Sequence, residues 1–393
     1  MSVQEKEHIS IITLLRGEKE FIPLIKDNFN KFDYPSEKLE LVIIDDGKES
    51  LISEFLEDDR ILYLHLEDKE IQEFIEKIDF PNDTEGILKN YMSKTRRLPN
   101  GFKRDYGVGM STHDLYFHMD YDTSYHTGAI TRKVKFMMKN KVECVYNSSI
   151  LCHDFYNKDE DKLYKSDNPY NIYEGTLLHT KEYWKNGGFK WSDISNEGRF
   201  FSDNHGPQRK MDNYYDSVKI LSIRNVQEYK PIALDLNKSE FTYQLKKDII
   251  KDIQINLNPV KQSIDELFQD LETISLLGIH SEFIESLDES KYQCQNYTDK
   301  IKQTKLAKEI KKLGSEFNIL LFGYKQPVWS LFEHIKFDCI LLETHKNMEQ
   351  MYSIIQSCKK YKYIYINGMF INTNLLKNEV DEENMDEEDV DEK

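Results

Sequence analysis

The sequence predicts an α/β protein, and three patterns predict it. Apolar runs of strand length alternate with helix-period segments from the first residues onward. Acidic residues stand directly after several of those runs, where open α/β sheets bind their ligands. A second, shorter strand–helix alternation begins near residue 316.

Ile9–Leu15 is β-branched and apolar, as a buried strand requires, and Arg16-Gly17 ends it. Phe21, Leu24, Ile25, Asn28, Phe29 and Phe32 recur at helical spacing, and Tyr34-Pro35 stops that helix. Leu39–Ile44 is a continuous apolar run followed by Asp45-Asp46-Gly47, and Ile61–Leu66 gives a third strand. Strand, helix, strand, helix, strand calls for a parallel sheet with right-handed crossovers. Leu115–Met119 is a further short strand running into Asp120-Tyr121-Asp122. Val142–Tyr146 and Leu177–His179 read as short strands, and Ser217–Val226 with Pro231–Leu236 close the first domain, residues 1–243.

Residues 244–315 are charged and read as a helical connector. Ile264, Leu267, Leu271, Ile274 and Leu277 form one apolar stripe there, the mark of a packing helix. Residues 316–376 read as a small Rossmann-like α/β domain. Its strands are Phe317–Phe322, Phe337–Leu342 and Tyr363–Ile366, and its helices Val328–Ile335 and Met348–Lys359. Gly323-Tyr324-Lys325-Gln326-Pro327 is no glycine-rich phosphate loop, so the expected role of this unit is contact with a protein partner or a second copy. Residues 377–393 form an acidic tail read as disordered, because like charges repel and bury nothing.

That tail carries much of the chain's net charge of −17 and leaves the rest only mildly acidic. No basic stripe balances it, which argues against nucleic acid as a partner. With 24 Tyr and 21 Phe there is ample core material for a globular protein. No window reaches the apolar length of a membrane helix, and the first residues lack a signal-peptide pattern. Cys144, Cys152, Cys294, Cys339 and Cys358 are scattered without Cys-x-x-Cys spacing, so the expectation is structural thiols in a reducing, cytoplasmic setting.

Two carboxylates one residue apart, just past a strand's end, form a hard oxygen site suited to Mg²⁺ or Mn²⁺ carrying a diphosphate. Asp120 and Asp122 stand so. Asp45-Asp46-Gly47 lies upstream, and Glu174-Gly175-Thr176, Gly187-Gly188-Phe189 and Glu197 lie downstream. In that order, over roughly residues 8 to 240, these motifs resemble the nucleotide-sugar-dependent glycosyltransferases of the GT-A fold, family 2-like members in particular. Lys103-Arg104-Asp105-Tyr106-Gly107 is similar to that family's Lys-Arg-Asn-x-Gly segment, with Asp105 in place of Asn. Tyr121 and Thr123 interrupt the aspartate run often found there.

The resemblance implies a GT-A-like, Rossmann-type mixed sheet flanked by helices. It also implies transfer of a sugar from a nucleoside diphosphate, UDP expected, to a hydroxyl of a glycan, protein or small molecule. Thr13, Asp45, Asp46, Arg104 and Asp120 are the implied nucleotide contacts. A carboxylate can accept the N3–H of uracil and cannot pair so with cytosine. Asp120 and Asp122 are the implied metal ligands, with His205 as a third and Asp235 as a competing candidate. Glu197 is the implied general base of an inverting reaction, with Asp193 and Asp203 as alternatives. Trp184 and Trp191 offer flat faces for sugar rings or for core packing, and His118 reads as a core or cleft-lining residue.

The alternative is a catalytically degenerate nucleotide-binding scaffold of the same fold, because Gly198 stands where a second acid usually follows the Glu. A nucleotidyltransferase ranks below both, since residues 11–20 hold only Gly17 where a glycine-rich, basic loop is expected.

Overall fold

A computed structural model describes residues 7–80, 85–147, 149–154, 163–167, 172–194, 197–203, 208–211, 217–221, 232–233, 268, 274–279, 292–297, 316–322, 336–342, 363–366 and 369–372. The chain divides into two compact units. The first contains Met1–Pro81, Arg96–Leu221 and Pro231–Leu257; the second contains Asn82–Thr95, Ser222–Lys230 and Asn258–Lys393.

In the first unit the elements run β1 (Ile9–Leu15), α1 (Ile22–Lys31), β2 (Leu39–Asp45), β3 (Ile61–His65) and α2 (Asp68–Lys77). After α3 (Glu85–Thr95), which clusters with the second unit, come α4 (Asn100–Met110), β4 (Leu115–His118), β5 (Thr123–Tyr125) and α5 (Ala129–Asn140). Then follow β6 (Cys144–Asn147), β7 (Ser149–Asp154), β8 (Leu163–Asp167), β9 (Leu178–Thr180), α6 (Lys181–Lys185) and α7 (Glu197–Asp203). The last are β10 (Gln208–Met211), β11 (Ser217–Leu221) and β12 (Ile232–Ala233).

A seven-stranded mixed sheet has the order β10-β6-β9-β4-β1-β2-β3. Strands β3, β2, β1 and β4 are parallel, whereas β9 runs against both β4 and β6. Register pairs Leu15 with Asp45 and Asp45 with His65, so these carboxyl ends are level. Because β9 is reversed, its start lies beside Phe117 at the end of β4. The 3-10 turn Glu174–Thr176 is thereby delivered to the edge where Asp120 emerges. Asp120-Tyr121-Asp122 is also a joint: β4 belongs to this sheet, while β5 pairs with β11 in a five-stranded sheet of order β12-β8-β7-β11-β5.

Sequence explains the packing. Every residue of β1 is buried, as expected of a strand covered on both faces. Helix α1 sets Ile22, Leu24, Ile25 and Phe29 on its covered side, and α5 does so with Ile130, Val134 and Met137. Gly107 lets α4 approach the sheet closely: a Cβ there would lie 2.8 Å from Ile12 Cγ2. That approach carries Lys103 and Arg104, both nearly sealed from solvent, beneath the strand ends.

The second unit contains β13 (Ile274–Ile279), β14 (Tyr292–Tyr297), β15 (Glu316–Phe322), β16 (Lys336–Leu342), β17 (Tyr363–Ile366) and β18 (Met369–Asn372). They form a mixed sheet of order β14-β13-β15-β16-β18-β17. The three strands expected from residue 317 onward are present, with β18 added as a reversed partner of β16 and β17. One expectation is corrected. Ile274 and Leu277 were expected on a helical stripe, yet they lie on β13, paired with β14 and β15. Ile274–Ile279 is a short apolar run, and such a run serves a buried strand as well as a helix; pairing on both sides decides it. The expected helices at 328–335 and 348–359 and the acidic tail lie outside the described residues.

Candidate functional site

Two groups of carboxylates occupy the carboxyl edge of the main sheet. At the end of β2, Asp45 is wholly buried. Its Oδ1 accepts the backbone N–H groups of Gly17 (2.9 Å) and Gly47 (2.8 Å), and its Oδ2 accepts the Tyr63 hydroxyl (2.5 Å). Burial and the Asp45 carboxylate together hold the Tyr63 phenol well above its ordinary range. Asp46 accepts Lys103 Nζ at 2.9 Å on Oδ1 and the Leu98 N–H at 2.8 Å on Oδ2. Gly17 (φ +75°) and Gly47 meet backbone to backbone: a Cβ on Gly47 would lie 2.5 Å from Gly17 N. Thr13 is fully buried in β1, its Oγ1 without a hydrogen-bond partner among the described residues.

Thr13, Asp45 and Asp46, the expected nucleotide contacts, are each 2% exposed or less. The two aspartates pin the loops after β1 and β2 to each other and to α4.

At the end of β4 a second group gathers around Arg104. Its Nη2 donates to Asp120 Oδ1 (2.9 Å), its Nε to Glu197 Oε1 (2.8 Å), and its Nη1 lies 3.3 Å from His118 Nδ1. Glu197 opens α7, and its Oε2 makes no hydrogen bond among the described residues. Asp120 rests on the bare Cα of Gly175, where a Cβ would lie 2.5 Å from Asp120 Cγ. The Tyr125 hydroxyl accepts the Asp120 N–H (2.9 Å) and donates to the Gly175 carbonyl (2.6 Å), fastening the joint to the 3-10 turn. Asp122 is 5% exposed and accepts the Thr123 hydroxyl at 3.3 Å. Tyr121, between the two acids, packs edge-on against Phe21, 5.0 Å between centroids.

Electrostatics follow from this crowding. Burial opposes the charge on Arg104, but Glu197, Asp120 and Glu174 outweigh it and hold the guanidinium firmly protonated. Glu174, whose Oε1 accepts the Gly198 N–H (3.2 Å), is pushed up to about 8 by burial and by Glu197. Asp193 is raised to about 6 by burial, and its Oδ2 is buried without a partner among the described residues. Burial, with Arg104 and His179 beside it, keeps His118 well below its ordinary value.

Asp105, the residue that departs from the Asn of the resembling segment, accepts three N–H groups. Trp184 Nε1 (2.6 Å) and Phe189 N (3.0 Å) meet Oδ1, and Trp191 Nε1 (2.8 Å) meets Oδ2. Trp191 is 41% exposed and stands edge-on to Phe102. An amide at position 105 would present one acceptor oxygen where the carboxylate presents two.

Asp120 and Asp122 are hard oxygen donors two residues apart at one joint between strands, a donor type that fits a Mg²⁺- or Mn²⁺-type ion completed by waters and substrate phosphates. Among the described residues no group of three or more His, Cys, Asp or Glu forms a metal cage. His205 and Asp235 lie outside the described residues, as does the side chain of Asp203. Sequence reasoning missed Tyr63 and His179 and gave Glu174 no role of its own; all three act through partners distant in sequence.

No family model matches the sequence, and no curated protein matches it. Among solved structures the chain is similar to S. aureus TarS at 12% identity and TM-score 0.37, covering 67% of this chain and 48% of that one. The chain thus spans about half the length of that TarS chain. A structure of TarS 1–349 in complex with UDP-GlcNAc overlays at 10% identity and TM-score 0.38, covering 67% and 73%. Mannosyltransferase PcManGT from Pyrobaculum calidifontis, in complex with GDP-Man and Mn²⁺, overlays at 14% identity and TM-score 0.36, covering 57% and 62%. The α/β class stands on the chain's own strand order. Among the described residues no helix is long and apolar enough to cross a membrane.

Proposed function

We propose that this chain is a metal-dependent, GT-A-type glycosyltransferase that moves a sugar from a nucleoside diphosphate, UDP by preference, to a hydroxyl acceptor with inversion. One observation carries the reading: Arg104 ties Asp120, expected at the diphosphate, to Glu197, expected at the acceptor, across 77 residues of sequence. A cation held by Asp120 and Asp122 would offset the charge that gathers on the departing diphosphate.

The chain's own residues do the rest. Gly17, Gly47 and the pinned aspartates shape the floor of the nucleotide site, with Asp45 and Asp46 acting as its supports. Glu197 keeps Oε1 on Arg104 and offers Oε2 to the acceptor. As the acceptor oxygen bonds to the anomeric carbon, the bond from that carbon to the phosphate oxygen breaks, UDP leaves, and the hydroxyl proton passes to Glu197. Asp193 is the rival base, favoured by its unpartnered buried oxygen. Trp191, clamped by Asp105, offers a flat face to an acceptor sugar.

The test is UDP binding by calorimetry with and without Mn²⁺, together with UDP release from a panel of UDP-sugars. Metal-independent binding that survives Asp122→Ala would sink the proposal. Product configuration by NMR checks the stereochemistry: an α-linked donor should give a β-linked product. Glu197→Gln should cut turnover by roughly 10²-fold or more while UDP affinity stays put; an unchanged rate moves the base to Asp193. The second reading, a nucleotide-binding scaffold, is favoured by the internal satisfaction of Asp45 and Asp46. Binding without turnover on every donor would support it.

A further inference from the structure

Behind Arg104 lie two histidines, both 0% exposed, that the proposed chemistry does not use. The His118 and His179 rings lie edge to edge and close to coplanar, 21° between planes and 5.1 Å between centroids, with Nε2 facing Nε2 at 2.9 Å. His118 Nδ1 lies 3.3 Å from Arg104 Nη1, and His179 Nδ1 lies 3.1 Å from the Thr180 carbonyl oxygen. The two ends of this row have fixed chemistry. A guanidinium can only donate, and a carbonyl can only accept.

One neutral arrangement of protons satisfies all three of these contacts. Arg104 Nη1 needs a lone pair on His118 Nδ1, so the His118 proton is on Nε2. That Nε2–H needs a lone pair on His179 Nε2, so the His179 proton is on Nδ1, where the Thr180 carbonyl accepts it. Any other neutral assignment sets two N–H groups or two lone pairs face to face in a dry interior. The surroundings hold the rings in place: Phe189 packs on both, Phe201 edge-on to His179 at 4.7 Å, and Tyr116 beside it at 5.2 Å.

We propose that His118 and His179 form a proton-ordered relay, anchored on the Thr180 carbonyl, that fixes the roll of the Arg104 guanidinium so that it meets Asp120 and Glu197 together. Both histidines are positioning residues. An arginine reaching two carboxylates through Nη2 and Nε can still rock about its long axis, and an acceptor placed on Nη1 removes that freedom. The relay stands on the contact geometry alone; its service to sugar transfer rests on the function proposed above.

The experiment uses the full chain labelled with ¹⁵N-histidine, read by long-range ¹H–¹⁵N correlation at neutral pH. The expected result is one pair of imidazoles joined by an N–H···N coupling, its donor ring protonated on Nε2 alone and its acceptor ring on Nδ1 alone. Absence of such a pair, or a donor ring carrying protons on both nitrogens, overturns the relay without any variant being made. A second arm asks whether it acts on Arg104. His179 meets Arg104 through His118 in this row, so His179→Phe should shift the Arg104 Nε–H resonance and lower turnover of a UDP-sugar about tenfold, as small misplacements do. UDP affinity with Mn²⁺ should change by less than about threefold, since the effect lies in positioning. His118→Asn, which keeps an acceptor near the Nδ1 position, should preserve the Arg104 signal better than His118→Phe. A folded His179→Phe protein with an unmoved Arg104 signal overturns the positioning role. Wild-type protein that shows the coupled pair but turns over no UDP-sugar counts against the transferase reading and leaves the relay standing.

Discussion

The acids after β2 and the acids after β4 occupy equivalent places, at the carboxyl ends of strands in one sheet, and the protein treats them differently. Asp45 and Asp46 receive five donors between them, from Gly17, Gly47, Tyr63, Lys103 and Leu98, and neither is more than 2% exposed. Asp120 keeps 23% of its side chain exposed while Arg104 holds one of its oxygens. Strand-end position brings both pairs of acids to one edge of the sheet; Asp45 and Asp46 are sealed among protein donors, whereas Asp120 keeps part of its side chain at the surface.

That contrast breaks most visibly at Asp46. The Lys103–Asp46 pair is buried on both sides, at 2% and 0% exposure. Asp46→Ala would leave a buried ammonium without its partner, and the expected loss is about 3–5 kcal/mol, a large share of an ordinary domain's stability. Urea unfolding checks it, and a loss below about 1 kcal/mol would place Asp46 with the ligand-facing acids after all.

Asp122→Ala should do the reverse. Turnover should fall by at least about 10²-fold, the scale of losing a group that stabilises developing charge, while the urea midpoint stays near wild type. A variant that unfolds early but transfers normally would erase the distinction.

Gly175→Ala tests the seat of Asp120 without touching its charge. The new Cβ would sit 2.5 Å from Asp120 Cγ and 2.9 Å from Tyr125 Oη, so the carboxylate must move. A displacement of that size should cost about tenfold in turnover, with circular dichroism and melting temperature little changed.

The last test is one of pH. Glu174 has its folded pKa raised to about 8 from an ordinary 4.5, so the folded state binds more protons than the unfolded state between those values. Glu174 thus withdraws stability as pH climbs through that window, and Glu174→Gln removes the titration. The melting temperature of Glu174→Gln relative to wild type should rise steadily from pH 5 to pH 8. A flat difference would show that Arg104 keeps Glu174 ionised throughout.

The sheet was legible because a fully buried strand leaves an unbroken apolar run, as in Ile9–Leu15 and Leu39–Ile44. Arg104 and Glu197 were legible as motif members. Their bond to each other was not, because local sequence does not encode which distant carboxylate a guanidinium will meet. Tyr63 and His179 sit on strands among apolar neighbours and look like ordinary core residues until pairing aligns them with Asp45 and His118. Ile274 and Leu277 misled for the opposite reason: helical spacing was present by chance in a segment whose strand partners lie elsewhere in sequence.

The clamp at Asp105 has an optical consequence. Of the chain's three tryptophans, Trp184 and Trp191 donate their indole N–H groups to this one carboxylate. Much of the protein's ultraviolet emission therefore originates within a few ångströms of a single charge, and Trp191 presents part of its ring to solvent. The molecule carries its own fluorophore pair beside the proposed acceptor face. A sugar settling on Trp191 should blue-shift the emission and shield it from iodide quenching, so acceptors can be screened on the unlabelled protein before any product is detected.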